Sequence, residues 1–231
     1  SVPKKAKKFN LLFFDATCPL VSKIHREVEN FERKNLPVIL IGHRNHPEVI
    51  GTMGQTHKQI HLVEKIEDVK KLPFDKNANV AYVTQTTLSV DDTKDIIDAI
   101  KYRFINVTEP NKNDICYATT NRQKAVKEIA AKCDYFLVIG SPNSSNSLRL
   151  VEVAENYGAK NCILIENINE VETSFFNNAV SIGITASASA PEILVENLIN
   201  KLSKKFDLNI IESSFEKEDI HFKIPQKLKE A

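Results

Sequence analysis

The segment SPNSSNS, from Ser141 to Ser147, follows an apolar run and leads into a helix-like stretch. Free amides at a helix start, joined by clustered hydroxyls, make a cradle for phosphate oxygens or another anion. The plainer alternative is an N-cap with surplus turn residues, although a cap needs one such side chain and not a run of them. The segment ITASASAP, from Ile184 to Pro191, has the same form. Loops after neighbouring strands of one module open onto one crevice, so the two reinforce each other. Neither contains a Walker lysine or a GxGxxG pattern, and nucleotide binding is not indicated.

Three further sets of residues could do chemistry. His43, His46 and Glu48 lie within six positions of one another. Their spacing is not that of a helical HExxH zinc motif. One reading is a histidine that binds an anion beside a carboxyl that supplies protons; the other is a solvated polar loop. Gln85, Thr86 and Thr87 end another strand-like run. The two hydroxyls could hydrogen-bond a substrate, with helix capping as the default role. Cys18 and Cys116 each stand at a strand–helix junction, where free amides and the helix dipole favour a thiolate. A buried, inert cysteine is the alternative for both. Cys133 and Cys162 fit that alternative, one ending a helix and the other lying within a strand. Two thiolates fall short of the usual four ligands of a structural zinc or cluster site. His25, His57, His61 and His221 have no evident partner.

These groups need strand ends to hold them. Leu11–Phe14 reads as a buried strand, followed by a helix from Pro19, at its first turn, to about Lys34. Pro37–Ile41, Ile60–Val63 and Asn79–Thr84 read as strands, Ile66–Leu72 as a short helix. Asp91 and Asp92 suit the first turn of a helix that runs to Phe104. A second series follows: a helix over Asn121–Ala131, a strand over Tyr135–Ile139, and a helix to Tyr157 stopped by Gly158. Strands over Asn161–Ile165 and Val180–Ile184 then lead to a helix ending near Lys204. Such alternation means an α/β fold with parallel sheets, whose ligands sit beyond the carboxyl ends of the strands. The expected organisation is a module over residues 1–105 with Cys18, His46, Glu48 and Thr86, and a module over 106–205 with Cys116 and the serine-rich loops. A tail over 206–231, with Pro225, is expected to lie over one module as a strand or to form an interface arm.

Thirty-one basic and 30 acidic side chains nearly cancel, which argues against general attraction to nucleic acid. No apolar run reaches the roughly 18 residues that span a membrane. The cysteine spacing matches neither a compact zinc site nor a disulfide framework, so a reducing compartment is expected. The abrupt start, without methionine and almost on a strand, suggests a fragment or remainder of a longer polypeptide.

Taken as strings, DATCPLVSKIH (15–25), IGHRNHPEVIGTMGQ (41–55), TQTTLSVDDT (84–93), NDICYATTNRQ (113–123), GSPNSSNSLRL (140–150) and ITASASAPEIL (184–194) resemble the 4-hydroxy-3-methylbut-2-enyl diphosphate reductase family. The resemblance runs in order over nearly the whole chain. It implies a trefoil-like, three-module α/β enzyme around a [4Fe–4S] cluster held by three cysteines, with one iron open to substrate. It implies reductive dehydroxylation to isopentenyl and dimethylallyl diphosphate, the last step of the non-mevalonate isoprenoid pathway, with a ferredoxin- or flavodoxin-like electron donor. A bacterial cytoplasm or a plastid-type organelle would be the setting. By match to the motifs, Cys18 and Cys116 look like two cluster ligands and Glu48 like the proton source. His46 looks like a contact to diphosphate and hydroxyl, and Thr86 like a partner of the substrate hydroxyl, with Thr87 and Gln85 close by. Ser144, Ser145, Asn146 and Ser189 look like the diphosphate clamp, and His43 like a supporting residue. The family's N-terminal module, with its own cysteine motif and two substrate-side histidines, has no counterpart, so two of three modules are expected. The chain alone is therefore expected to be inactive. A phosphate- or phosphosugar-binding α/β protein without a cluster, and a structural or interaction module, are the other two readings of the residues.

Overall fold

The computed structural model describes residues 2–58 and 60–212, with the single positions 224 and 228. Helix α1 (Val2–Lys8) leads through an irregular stretch into α2 (Pro19–Arg33). The first sheet holds β1 (Val38–Ile41), β2 (Ile60–Val63), β3 (Asn79–Thr84) and β4 (Asn106–Thr108), with α3 (Pro47–Met53), α4 (Ile66–Val69) and α5 (Val90–Arg103) between them. All its pairings are parallel, in the order β2-β1-β3-β4. Every residue of β1 is buried, as a strand covered on both faces requires. Val38 and Leu40 pack on Ile24, Val28 and Phe31 of α2, while Ile39 and Ile41 pack on Ile96, Ile100 and Phe104.

The second sheet repeats the plan after α6 (Tyr117–Ile129). Strands β5 (Tyr135–Ile139), β6 (Cys162–Ile165) and β7 (Ile182–Ala186) run parallel in the order β6-β5-β7, with α7 (Ser145–Asn156) and α8 (Glu192–Ser203) as covering helices. Phe136 and Val138 face Val126, Leu150 and Val153; Leu137 and Ile139 face Phe176, Leu198 and Leu202. Each sheet is thus built from one contiguous stretch of chain.

Strand order locates the crevices. In the first sheet the chain leaves β1 toward β2 on one side and returns with β3 on the other. In the second, β5 lies between β6 and β7 in the same way. A crevice opens beyond the carboxyl ends of the two strands where the winding reverses. The loops there are the histidine loop after β1, Gln85–Thr87 after β3, Ser141–Ser144 after β5 and Ser187–Pro191 after β7.

The two sheets meet along a polar seam. Asp91 on α5 accepts from Lys127 Nζ on α6 at 2.7 Å and from the Tyr157 hydroxyl at 2.9 Å. Asp92 accepts from Arg149 of α7 at 3.2 Å. These acidic residues do more than complement the α5 dipole.

Several expectations need correction. Leu11–Phe14 is not a strand: it has no regular structure and Leu12 is 78% exposed. No described strand lies alongside to take its backbone groups, and an unpaired run cannot make a ladder. Val2–Lys8, before it, form α1. The first sheet continues past residue 105, because Asn106–Thr108 pairs with Asn79–Ala81. Helix α6 begins at Tyr117, ahead of the expected Asn121, because Cys116 caps it. Strand β7 lies two residues later than expected. In the tail, Phe206 and Leu208 pack on the second core and no strand forms up to residue 212. Pro225 and His221 lie outside the described residues.

Candidate active site

Gly42 ends β1, and a Cβ there would lie 2.7 Å from Val49 Cγ2 and 3.2 Å from Gln85 Oε1. A bare backbone therefore lets the histidine loop lie against β3. Asn45 sits at φ 66°, a left-handed conformation that asparagine tolerates. The turn it makes, closed by His46 N–H donating to His43 O at 3.2 Å, sets His46 at the cap of α3. His46 Nδ1 accepts from the Glu48 backbone N–H at 3.2 Å. A neutral His46 ring must then carry its proton on Nε2, which is left to donate. Burial holds the His46 pKa below the ordinary histidine value.

Glu48 reaches from α3 to the end of β3. Its Oε1 accepts the Thr86 N–H at 2.8 Å and its Oε2 the Thr86 hydroxyl at 2.9 Å. Burial pushes the Glu48 carboxyl up, against the pull of those two bonds, so the protonated form persists to higher pH than for a free glutamate. The Thr86 carbonyl in turn accepts the Cys116 N–H at 3.0 Å. Carboxyl, threonine and cysteine are therefore neighbours in one hydrogen-bonded line.

The serine loops close the crevice from the second module. Gln85 Nε2 donates to Ser145 Oγ at 3.2 Å, and so does the Thr87 hydroxyl. Gln85 Oε1 accepts the His43 N–H at 3.0 Å. Ser144 Oγ caps α7 by accepting from Ser147 N–H at 3.3 Å. Gly140 ends β5 as Gly42 ends β1: a Cβ there would meet Ser147 Cβ at 2.9 Å and Ser187 Cβ at 3.2 Å, which draws the two serine loops together. Ser187 Oγ lies 3.2 Å from Ser189 Oγ, and Ser189 faces solvent. Asn146 is 4% exposed, yet neither Oδ1 nor Nδ2 has a partner. Leaving a buried polar atom unmatched costs roughly 1–3 kcal/mol, a cost that a bound acceptor and donor would remove.

Cys18 stands at the N-cap position of α2 without a side-chain cap bond and is exposed; Cys116 caps α6, with Sγ accepting the Thr119 N–H at 3.3 Å. The helix carrying Cys18 lies against the segment carrying Cys116. Lys23 Nζ donates to Lys112 O at 2.6 Å and to Asp114 Oδ1 at 2.8 Å, and Glu27 accepts the Asn111 N–H at 3.2 Å. Asp114 Oδ2 also accepts the Thr84 N–H at 2.9 Å. Cys133 and Cys162 stand elsewhere, in the apolar layer under α6 and α7. His61 stacks edge-on with Phe74 at 4.6 Å, away from the crevices. His25 lies beside α3, where a Cβ on Gly51 would come within 3.7 Å of its Nε2.

Asp114, Lys23, Arg149 and Gln123 also shape this region without standing out in the sequence. All four stand inside the quoted strings, but a lone polar side chain on a helix or loop is ordinarily solvated, so nothing in its type marks it.

The family model described as LytB protein matches residues 1–203. The chain belongs to the LytB family. It is 48% identical to the 4-hydroxy-3-methylbut-2-enyl diphosphate reductase of Methylocella silvestris, covering all of this chain and 73% of that protein. With the same enzyme of Haemophilus influenzae it shares 48% identity, over 99% of this chain and 74% of the other. The solved structure of the reductase from Plasmodium falciparum superposes with a TM-score of 0.92 at 36% identity, covering 99% of this chain and 72% of that one. The parallel-sheet architecture is that of the family's trefoil-like fold, and the 231 residues correspond to part of its three modules. The LytB family works with a metal cluster. Among the described residues no three His, Cys, Asp or Glu side chains stand together as a metal site. Cys18 and Cys116 each stand at a helix start, where the free amides face an incoming ligand. Two sulfurs do not make the three protein ligands that leave one iron of a four-iron cluster open, so the described residues fit part of that group and not the whole.

Proposed function

We propose that this chain supplies the proton relay, the diphosphate clamp and two sulfur ligands of a 4-hydroxy-3-methylbut-2-enyl diphosphate reductase. The observation that carries the reading is the double donation of Thr86 to Glu48, with Cys116 bonded to the same threonine. The reaction takes an allylic alcohol, two electrons and two protons to isopentenyl or dimethylallyl diphosphate and water. Ser144, Ser145, Asn146 and Ser189 donate to the diphosphate, and His46 donates through Nε2. Asn146, buried and unmatched, gains most from an acceptor oxygen. Thr86 holds the C4 hydroxyl. When Glu48 is protonated, its bond with the Thr86 hydroxyl reverses and the proton passes through Thr86 to the C4 oxygen, which leaves as water. A glutamate beside the diphosphate itself would repel it, so Glu48 belongs at the hydroxyl end. Thr87, Gln85 and His43 hold the two modules' loops in register.

A [4Fe–4S] cluster, when bound, supplies the electrons and a Lewis-acidic iron. Cys18 and Cys116 would hold two of its irons, and the third ligand would come from the N-terminal module that these 231 residues do not include. A ferredoxin- or flavodoxin-like protein would deliver the electrons, in a bacterial cytoplasm or a plastid-type organelle. No described helix is long and apolar enough to cross a membrane.

Anaerobic reconstitution with iron and sulfide, followed by Mössbauer spectroscopy and a reductase assay, tests the reading. With the N-terminal module supplied in cis, a four-iron cluster and turnover are expected; the chain alone should bind diphosphate weakly and turn nothing over. Absence of turnover from the completed polypeptide sinks the function. A stoichiometric cluster in the chain alone sinks the ligand count.

A further inference from the structure

Gln123 lies about two helical turns beyond Cys116 on α6 and is 1% exposed. Its Nε2 donates to Leu88 O at 2.8 Å and its Oε1 accepts the Val90 N–H at 3.0 Å. The amide therefore pairs with the backbone after β3 as a neighbouring strand would. An apolar side chain would fill this space without the cost of burying an amide, and that cost is met only if both ends are matched. Here both are. The gripped segment runs back through Thr87 and Thr86, where Cys116 N–H holds the Thr86 carbonyl. Helix α6 thus fastens this segment at two places. The neighbouring Arg122 donates from Nε to Ala186 O at 3.1 Å, so the same helix also holds the start of the second serine loop.

We propose that Gln123 is a positioning residue: it fixes the segment after β3 so that Thr86 keeps both hydrogen bonds to Glu48 and Thr87 keeps its bond to Ser145. Its catalytic meaning rests on the relay reading above, but its geometry does not. The alternative is a side chain that only adds stability, with Glu48 and Cys116 sufficient to hold Thr86.

Amide hydrogen exchange followed by NMR on the 231-residue chain separates these. In Gln123→Met the Val90 and Thr86 amides are expected to exchange about tenfold faster, the scale of one lost net hydrogen bond, with the Phe136–Ile139 amides unchanged. Faster exchange at Val90 alone, or equal acceleration in β5, overturns the proposal. Should Gln123→Met not fold, Gln123→Glu keeps the acceptor for Val90 and loses the donor to Leu88; an unchanged Thr86 amide there overturns it equally. Freed Thr86 together with normal turnover in the completed enzyme would leave the positioning role intact and remove Thr86 from the relay. A protected Thr86 would overturn the positioning role and leave the relay untouched.

Discussion

The guanidinium of Arg149 lies 2.9 Å from Nε2 of His43, across the seam between the two sheets. A guanidinium only donates, so Nε2 accepts and a neutral His43 ring carries its proton on Nδ1. Burial, and then the Arg149 charge, hold the His43 pKa below its ordinary value of 6.5. Because the folded pKa is depressed, stability from this group is present above 6.5 and is lost as pH falls through the folded value. Arg149→Met should raise the His43 pKa, read by NMR titration, and shrink the acid-side loss. An unmoved or lowered His43 pKa would contradict the assignment.

Glu48→Gln keeps the size of the side chain and can still accept from Thr86, but it has no proton to give. In the completed enzyme, turnover should fall about 10²–10⁴-fold while substrate binding changes little. Burial raises the Glu48 pKa, so its stabilising contribution is present below the ordinary 4.5 and is lost as pH rises through the folded value. Turnover that needs the protonated carboxyl should decline on the same alkaline side. Near-normal turnover with sharply weaker binding would place Glu48 at the diphosphate instead.

Iron analysis of four single alanine variants decides the ligand set. Cys18→Ala and Cys116→Ala should lose the cluster from the completed enzyme, whereas Cys133→Ala and Cys162→Ala should keep it. Burial pushes the Cys162 thiol up to about 11, which leaves it protonated where a ligand must be thiolate. A full cluster in Cys116→Ala would be decisive against the set.

Asp114, in the loop before α6, joins α2 and β3 through one carboxylate whose side chain is fully buried. Asp114→Ala leaves the Thr84 N–H without its acceptor and Lys23 with only the Lys112 carbonyl and Glu27, and should destabilise the chain by about 3 kcal/mol. Urea unfolding measures it. A loss under about 0.5 kcal/mol, the range of ordinary surface changes, would show that solvent replaces the carboxylate without cost.

Strands β2 and β3 were legible to the residue, because continuous apolar runs with polar ends have few other readings. The candidate site's loops stood out in the sequence for a different reason: Ser141–Ser147 and His43–Glu48 are too polar for ordinary turns. Leu11–Phe14 misled, since apolar content marks a strand only where something lies beside it. Arg149, Asp114 and Gln123 were invisible because their partners are 106, 91 and 33 to 35 positions away, and only the fold makes those pairs.

Because each sheet comes from one contiguous stretch of chain, the two can collapse independently, as local units generally do. The bonds that make the crevice, Gln85 to Ser145 and His43 to Arg149, span 60 and 106 positions and can form only when those units dock. Among the described residues, the crevice therefore takes its shape only once the two units have docked. A diphosphate that bridges the two halves would favour the docked state over the separated one by mass action, and would speed or secure that final step without touching the folding of either half.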